Sequence, residues 1–409
     1  MSGKFNPNKM KNKLYITILI TFFSLNMLTV FCQTNWSLSN TGIPSVYSPN
    51  DFALASNGDI YLAASQWNGS TFSPKLLKSI NNGSSWTEIT MTGLTNVQNT
   101  NSIIFSGSTL LLAGSNSSTA SYYVYASTDN GLNWTLSNTG ITTGYSPNDF
   151  AIAPNGDVYL VCSHWNGTSF SPNLLKSTNN GSSWTEITMN GLTNVQNPNS
   201  IIFNGSKLLL SGSGASATYY VYSSTDNGSN WTSSNSGIPS GYSLNDFTNT
   251  TGQEIYGACS QWNGTSFSPH IIKSTNAGVS WIEITGLTGL TNLQNTNSII
   301  YSNSKLLLSG SNSSTASYFV FISAISSGIE DENNNISFSI FPNPSIGQIN
   351  IASSDNIKEI KITDGLGQVI YQTKSNGNNF SLQIDRTGIY FITLMMDKET
   401  ITRKLIICN

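Results

Sequence analysis

The sequence predicts an all-β chain: a six-bladed β-propeller followed by a small Ig-like β-sandwich. Three observations predict it. A unit of about 49 residues is written six times. Each unit reads as four short strands separated by turn residues, and four strands per unit at a period in the forties indicates propeller blades. After Gly328 the period stops and a differently composed segment begins.

Asp51-Phe52, Asp149-Phe150 and Asp246-Phe247 open three double units of about 97 residues, and the two halves of each resemble one another. In the first unit "DFALAS" is one strand, Asn57-Gly58 a hairpin turn and "DIYLAAS" a second strand. A long loop, "QWNGSTFSP", leads to a third strand, "KLLKS". An octet ending in Trp then turns into the fourth, "WTEIT". One blade cannot bury both of its faces, so six must stack in a ring. The segment Asn35 to Ser45, "NWSLSNTGIPS", matches Asn133 to Thr143, which follows an octet. It is a fourth strand with no blade of its own. The sixth unit, ending Tyr318 to Gly328, has a third strand but no octet and no fourth strand. The N-terminal strand is therefore expected to close the last blade and remove the open edges that favour aggregation.

Only 9% of the 409 residues are charged, with net charge −3, against roughly a quarter in ordinary soluble domains. No basic face points to nucleic acid. The two arginines, Arg386 and Arg403, both lie near the C-terminus. Residues 1–32 read as a secretory signal: Lys4, Lys9, Lys11 and Lys13 precede the apolar run Leu14 to Phe31, with cleavage expected after Cys32. A lipoprotein and an uncleaved anchor are the rival readings, and Met10 is an alternative start. Cys162 and Cys259 stand where the first unit has Ala64, so they read as small packed positions rather than metal or redox groups.

The octet occurs at Ser79–Trp86, Ser127–Trp134, Ser177–Trp184, Ser224–Trp231 and Ser274–Trp281, as Ser-x-Asp/Asn-x-Gly-x-x-Trp. Its third position is Asn81, Asp129, Asn179, Asp226 or Asn276. A catalytic acid does not tolerate that exchange, whereas a turn acceptor of backbone N–H groups does. Gly83, Gly131, Gly181, Gly228 and Gly278 supply positive φ. Trp86, Trp134, Trp184, Trp231 and Trp281 are expected to pack between blades. The pattern resembles the Asp-box, or BNR repeat, of sialidase-like propellers. That family binds a carboxylated sugar with three arginines, and the propeller region has none, so the resemblance does not carry sialidase activity over.

Octets are expected at one end of the blades and the long loops at the other. Asp51, Asp149 and Asp246 are placed on the loop face, as loop caps or ligand contacts. They recur at one equivalent position, whereas a catalytic acid and base need different environments. His164 and His270 align with non-ligands and read as solvated surface, so no metal and no cofactor is expected. Binding remains. The loops present Trp67 with Phe72, Trp165 with Phe170 and Trp262 with Phe267, and Tyr47, Tyr145 and Tyr242 are placed on neighbouring loops. Flat aromatics beside Asn, Gln and Ser suit sugar rings; the alternative is that they pin a long loop to its blade. Three such sites suit multivalent binding.

With residues 33–328 assigned to the propeller, "IEDENNN" (329–335) reads as a linker and residues 336–409 as the second module. Pro342-Asn343-Pro344, "DGLGQVIY", Gly388-Ile389-Tyr390 and Lys404-Leu405-Ile406-Ile407 occur there in that order. This closely resembles the type A C-terminal sorting domain of the type IX secretion system of Bacteroidota. The resemblance implies export across the outer membrane, a sortase-like peptidase as partner, and release or attachment to surface lipopolysaccharide. The combined expectation is a secreted or surface-displayed binding or adhesion protein, with glycans as the ligand class. A propeller glycoside hydrolase and a purely structural surface protein are the alternatives.

Overall fold

The computed structural model describes residues 35–214, 218–324, 338–341, 345, 347–364, 367–396 and 400–407. The expected signal segment, the 329–335 linker, Pro342-Asn343-Pro344, Cys32 and Cys408 lie outside these residues.

The chain forms six four-stranded antiparallel sheets, and these are the blades of a six-bladed propeller. After β1 (Trp36–Leu38), the first blade is β2 (Tyr47–Leu54), β3 (Ile60–Trp67), β4 (Phe72–Ser79) and β5 (Thr87–Ile89). The second is β6 (Asn99–Ser106), β7 (Thr109–Asn116), β8 (Ser121–Ser127) and β9 (Thr135–Leu136). The third is β10 (Tyr145–Ile152), β11 (Val158–Trp165), β12 (Phe170–Ser177) and β13 (Thr185–Ile187). The fourth is β14 (Asn197–Asn204), β15 (Lys207–Ser213), β16 (Tyr219–Ser224) and β17 (Thr232–Ser233). The fifth is β18 (Tyr242–Asn249), β19 (Ile255–Trp262), β20 (Phe267–Ser274) and β21 (Ile282–Ile284). The sixth contains β22 (Asn295–Ser302), β23 (Lys305–Asn312) and β24 (Ser317–Ala324).

The last blade takes β1 as its fourth strand, with Trp36 opposite Ser323 and Leu38 opposite Phe321. The first strands of successive blades pack against one another, and β2 packs against β22, which completes the circle. Burial follows position in the blade. Ile60 to Ser65 of β3 are all buried, because both faces of a second strand meet neighbouring blades, while short outer β5 is largely exposed. One apolar cluster fills each interface between blades, and each contains a single Trp from the octet position. The sixth of these is Trp36, carried by the N-terminal strand.

A glycine latch accompanies each Trp. Trp86 donates its backbone N–H to Thr41 at 2.9 Å, Trp184 to Thr139 at 2.9 Å and Trp36 to Thr288 at 2.9 Å. The glycine after each acceptor sits at positive φ against the Trp carbonyl. A Cβ on Gly42 would lie 1.9 Å from the Trp86 oxygen, one on Gly140 2.0 Å from that of Trp184, and one on Gly289 1.8 Å from that of Trp36. No side chain fits there, so the Gly that follows each acceptor (Gly42, Gly93, Gly140, Gly191, Gly237 and Gly289) is a steric requirement of blade stacking.

The C-terminal module is one five-stranded sheet: β25 (Phe338–Phe341), β26 (Gln348–Asp364), β27 (Val369–Gln383), β28 (Gly388–Met396) and β29 (Thr400–Ile407). The first half of β26 pairs with β25 and the second half with β28. Register shifts between Ala352 and Ile357 separate the halves, as bulges do where a strand bends. A bridge from Ser345 to Ile407 returns the sheet towards its start. The two layers expected of a sandwich are thus two parts of one curled sheet, closed over Ile349, Ile351, Ile360, Ile362, Ile392 and Leu405.

Candidate functional site

The octets lie between third and fourth strands, and the Trp loops between second and third, so antiparallel connection puts them at opposite ends of the blades. In the octet Ser79 donates to Asn81 Oδ1 at 2.9 Å and accepts from the Gly83 N–H at 2.8 Å, while the Ser85 N–H donates to Asn81 Oδ1 at 2.9 Å. Asp129 takes the same bonds from Ser127 (2.8 Å) and the Asn133 N–H (2.9 Å). The Asn133 backbone and side-chain N–H donors hold its carboxyl down to about 2, and those of Asn230 do the same for Asp226. The residue before each octet Gly also has positive φ: Asn82, Asn130, Asn180, Asn227 and Ala277. Sequence reasoning missed that requirement, although Asn in four of the five positions signals it.

At the opposite end the "long loop" is a tight hairpin. β3 runs to Trp67 and β4 starts at Phe72, with those two residues as the last pair. Trp165 and Phe170, and Trp262 and Phe267, close equivalent hairpins. The rings of each pair lie 4.9, 4.9 and 5.0 Å apart. Trp67, Trp165 and Trp262 keep 49%, 51% and 54% of their surface in solvent. The loop itself is held by an Asn: Asn68 Oδ1 accepts from the N–H groups of Ser70 at 3.0 Å and Thr71 at 2.9 Å, and Asn166 and Asn263 do likewise.

Two expected placements are corrected. Tyr47, Tyr145 and Tyr242 open the innermost strands rather than lying on loops, and they are 5%, 7% and 6% exposed. Their hydroxyls reach outward to Glu88 (2.7 Å), Glu186 (3.0 Å) and Glu283 (2.7 Å) on the fourth strands. Burial, then the bonded Glu186 carboxylate, pushes the Tyr145 phenol up. Lys75, Asn173 and His270 bridge these pairs. His270 is therefore no solvated surface residue: Nδ1 lies 2.8 Å from both Tyr242 Oη and Glu283 Oε1, and Nε2 lies 3.0 Å from Ser268 Oγ. The position accepts Lys, Asn or His because each spans the same gap with an N–H donor. Cys162 and Cys259 are free and fully buried, and burial pushes both thiols up.

The second correction concerns Asp51, Asp149 and Asp246. "SPND" is strand, not connection, so these carboxylates stand within β2, β10 and β18 at the propeller axis. A register shift precedes each of them and also Ser102 and Ser200; the one in β22 spans Thr296 to Ile299. Asn50, Asn101, Asn148, Asn199, Asn245 and Asn297 occupy these irregular positions, each just before an Asp or Ser. Five of them donate across to the next innermost strand: Asn50 to the Thr100 carbonyl (2.7 Å), Asn101 to Pro147 (2.7 Å), Asn199 to Leu244 (3.0 Å), Asn245 to Thr296 (2.7 Å) and Asn297 to Pro49 (2.7 Å). A cleft beside the axis is lined by Asn148, Asn199, Asn245 and Asn297 with Tyr219 and Phe267. These asparagines were not singled out from sequence, although an Asn before the Asp or Ser of every half-unit was there to be read.

Beneath the asparagines the three carboxylates alternate with three hydroxyls. Ser102 Oγ lies 2.8 Å from Asp51 Oδ2 and 2.8 Å from Asp149 Oδ1. Ser200 Oγ lies 2.7 Å from Asp149 Oδ2 and 2.9 Å from Asp246 Oδ1. Ser298 Oγ lies 2.7 Å from Asp246 Oδ2 and 2.8 Å from Asp51 Oδ1, which closes the ring. Every carboxylate oxygen is thus engaged, and none projects towards a ligand. Among the described residues no group of His, Cys, Asp and Glu is arranged to hold a metal ion.

Comparison with known proteins agrees with both parts of the chain. Residues 339–408 match the secretion system C-terminal sorting domain family. A domain of this kind directs its chain through the type IX machinery to the cell surface or beyond. Among solved structures, a Hadza microbial sialidase aligns with 11% identity and a TM-score of 0.52, over 68% of this chain and 65% of that one. The chain thus spans less than two thirds of that sialidase. An α-L-arabinofuranosidase from Fusarium graminearum aligns with 14% identity and a TM-score of 0.51, over 72% and 96%. A protein of unknown function from Dyadobacter fermentans aligns with 13% identity and a TM-score of 0.51, over 71% and 98%. At these identities the likeness is one of fold. Among curated proteins no sequence matches significantly. The chain is a six-bladed propeller of the sialidase-like fold carrying a secretion system C-terminal sorting domain.

Proposed function

We propose that the propeller is an exported glycan-binding module for neutral, hydroxyl-rich sugars, engaged through the Trp hairpins and the adjoining asparagine-lined cleft. The observation that carries this reading is the half-exposed Trp repeated on three Asn-locked hairpins. Since Asn68, Asn166 and Asn263 hold the loops, the Trp rings are spare for contact, and a pre-ordered aromatic loses little entropy on stacking. Phe267 joins its hairpin to the cleft, where amides offer both donors and acceptors to sugar hydroxyls. The propeller sequence contains no arginine for a sugar carboxylate. The sialidase and arabinofuranosidase that share the fold act on glycans, which is consistent with this ligand class.

Trp67→Ala, Trp165→Ala and Trp262→Ala together are expected to abolish binding on a glycan array while leaving thermal unfolding unchanged. Each single change should weaken binding by roughly fivefold, from about 1 kcal/mol of lost stacking. Full binding by the triple variant, or no glycan bound by the wild-type protein, ends this reading. Release of reducing sugar, abolished by Asp51→Asn, Asp149→Asn or Asp246→Asn, would instead establish the hydrolase alternative.

Export gives a separate test. Deleting residues 336–409 is expected to retain the propeller in the periplasm. Unchanged surface display or release of the truncated chain contradicts export through the C-terminal domain.

A further inference from the structure

The axial Asp–Ser ring contains more oxygen contacts than its hydroxyls can fill. Six Ser-to-Asp contacts of 2.7–2.9 Å link Asp51, Ser102, Asp149, Ser200, Asp246 and Ser298. A serine hydroxyl has one hydrogen and an ionised carboxylate has none. Three ionised aspartates would leave three contacts with two oxygens and no hydrogen between them. Three neutral aspartic acids supply the missing hydrogens: each serine donates to one neighbour and accepts from the other, all the way round.

We propose that this ring is a proton-operated clasp, closed when its aspartates are protonated and loosened when they ionise. The geometry sets the mechanism, because every link joins two blades. Asp51 to Ser102 spans the first and second, and Ser298 to Asp51 the sixth and first. Ionisation therefore removes links at several blade interfaces together and sets three negative charges against one another.

The groups facing each carboxyl are the other two aspartates, the serines of β6, β14 and β22, and backbone N–H groups. Phe52, Phe150 and Phe247 donate to the Oδ1 atoms, and Ile103, Ile201 and Ile299 to the Oδ2 atoms. These N–H donors favour the anion, but burial opposes it more strongly. All three carboxyls are raised, chiefly by burial; the charges of Asp246 and Asp51 add to this at Asp149, and that of Asp51 at Asp246, which is pushed up to about 7. Four of the six lysines in the blades are paired elsewhere, Lys78 with Asp59, Lys75 with Glu88, Lys176 with Asp157 and Lys273 with Glu254, and the other two, Lys207 and Lys305, open β15 and β23.

The sign follows from linkage. A carboxyl raised by folding holds a proton that the unfolded chain has released, so stability is full below the unfolded value, about pH 4, and falls as pH rises through the folded value. The unfolding constant of the full chain in urea should therefore grow between pH 5 and pH 8, by up to tenfold per pH unit for each proton still held. With two histidines in the sequence, few other groups titrate in this window. In the triple variant Asp51→Asn, Asp149→Asn, Asp246→Asn, the amide N–H groups replace the acid protons. Its profile should be flat from pH 5 to pH 8 because an amide does not ionise, whatever its absolute stability, since the new NH2 cannot accept the backbone N–H that faced the oxygen it replaces. Should the variant not fold, infrared spectra of wild type at pH 6 still decide: a protonated-carboxyl C=O band is expected, which disappears at alkaline pH. Stability that is level or rises from pH 5 to pH 8, or the lack of that band, overturns the proposal.

Discussion

Gly140→Ala is expected to destabilise the propeller by about 3–5 kcal/mol, while Gly156→Ala at the same φ costs about 1–2 kcal/mol. The two glycines form a matched pair. Both have φ of +87°, so alanine suffers the same backbone strain at each. A Cβ on Gly156 meets nothing within 4 Å, whereas on Gly140 it would lie 2.0 Å from the Trp184 carbonyl oxygen. That oxygen belongs to backbone that also donates to Thr139, so it cannot turn aside like a flexible side chain. Relief requires the third blade to move from the connection that precedes it. The expected signature is a thermal midpoint lowered by roughly 5–10 °C for Gly140→Ala and much less for Gly156→Ala. Equal losses would show that strain, rather than blade contact, conserves the latch conformation.

Trp36→Ala is expected to have a comparable effect, about 3–5 kcal/mol, from a single residue of a three-residue strand. Trp36 fills the interface between the fifth and sixth blades with Tyr256, Ile271, Leu306, Leu308 and Phe321. It also carries the backbone bond to Thr288 and packs on Gly289. It differs from the other five in one respect. The indole N–H groups of Trp86, Trp184 and Trp281 donate to Ser39, Ser137 and Ser234, and those of Trp134 and Trp231 to Gly131 and Gly228. Among the described residues Trp36 Nε1 is buried with no partner. Burying that donor unbonded is unfavourable, so Trp36→Phe should be tolerated far better than Trp86→Phe, which strands the Ser39 carbonyl. Denaturant midpoints of the three variants test this. A Trp36→Ala protein that unfolds at the wild-type midpoint would mean the N-terminal strand is dispensable to the ring.

The blade number and the borrowed strand were legible because they rest on repetition. "NWSLSNTGI" has the sequence of a fourth strand wherever it stands, and its Trp and Gly meet the same neighbours as in the other blades. The Trp–Phe pairs were also legible, but the length of their loop was not. "QWNGSTFSP" is rich in turn formers, and Pro74 looks like a break. In the structure Pro74 lies opposite Ser65, beyond the three-residue stretch where β5 pairs with β4, so its missing N–H leaves no ladder bond unmade. The axial placement of Asp51, Asp149 and Asp246 was hidden for a different reason. Alternation fixes which face of a strand a residue takes, and a bulge resets that alternation. The shift between Pro49 and Asp51 is a property of backbone pairing that no single side chain announces. The tyrosines were misplaced through the same boundary: a strand starting at Asp51 leaves Tyr47 on a loop, whereas one starting at Tyr47 buries it.

The borrowed strand also has a consequence for the order of folding. Ser37 and Ile322 are partners 285 residues apart. Closing so long a loop is entropically unfavourable until the intervening blades have shortened it by folding. The first strand of the propeller in the sequence is therefore expected to dock last, after the other blades have formed. The rate of the final folding phase should then depend on how readily "WSL" docks on β24, a step separable from the folding of any single blade.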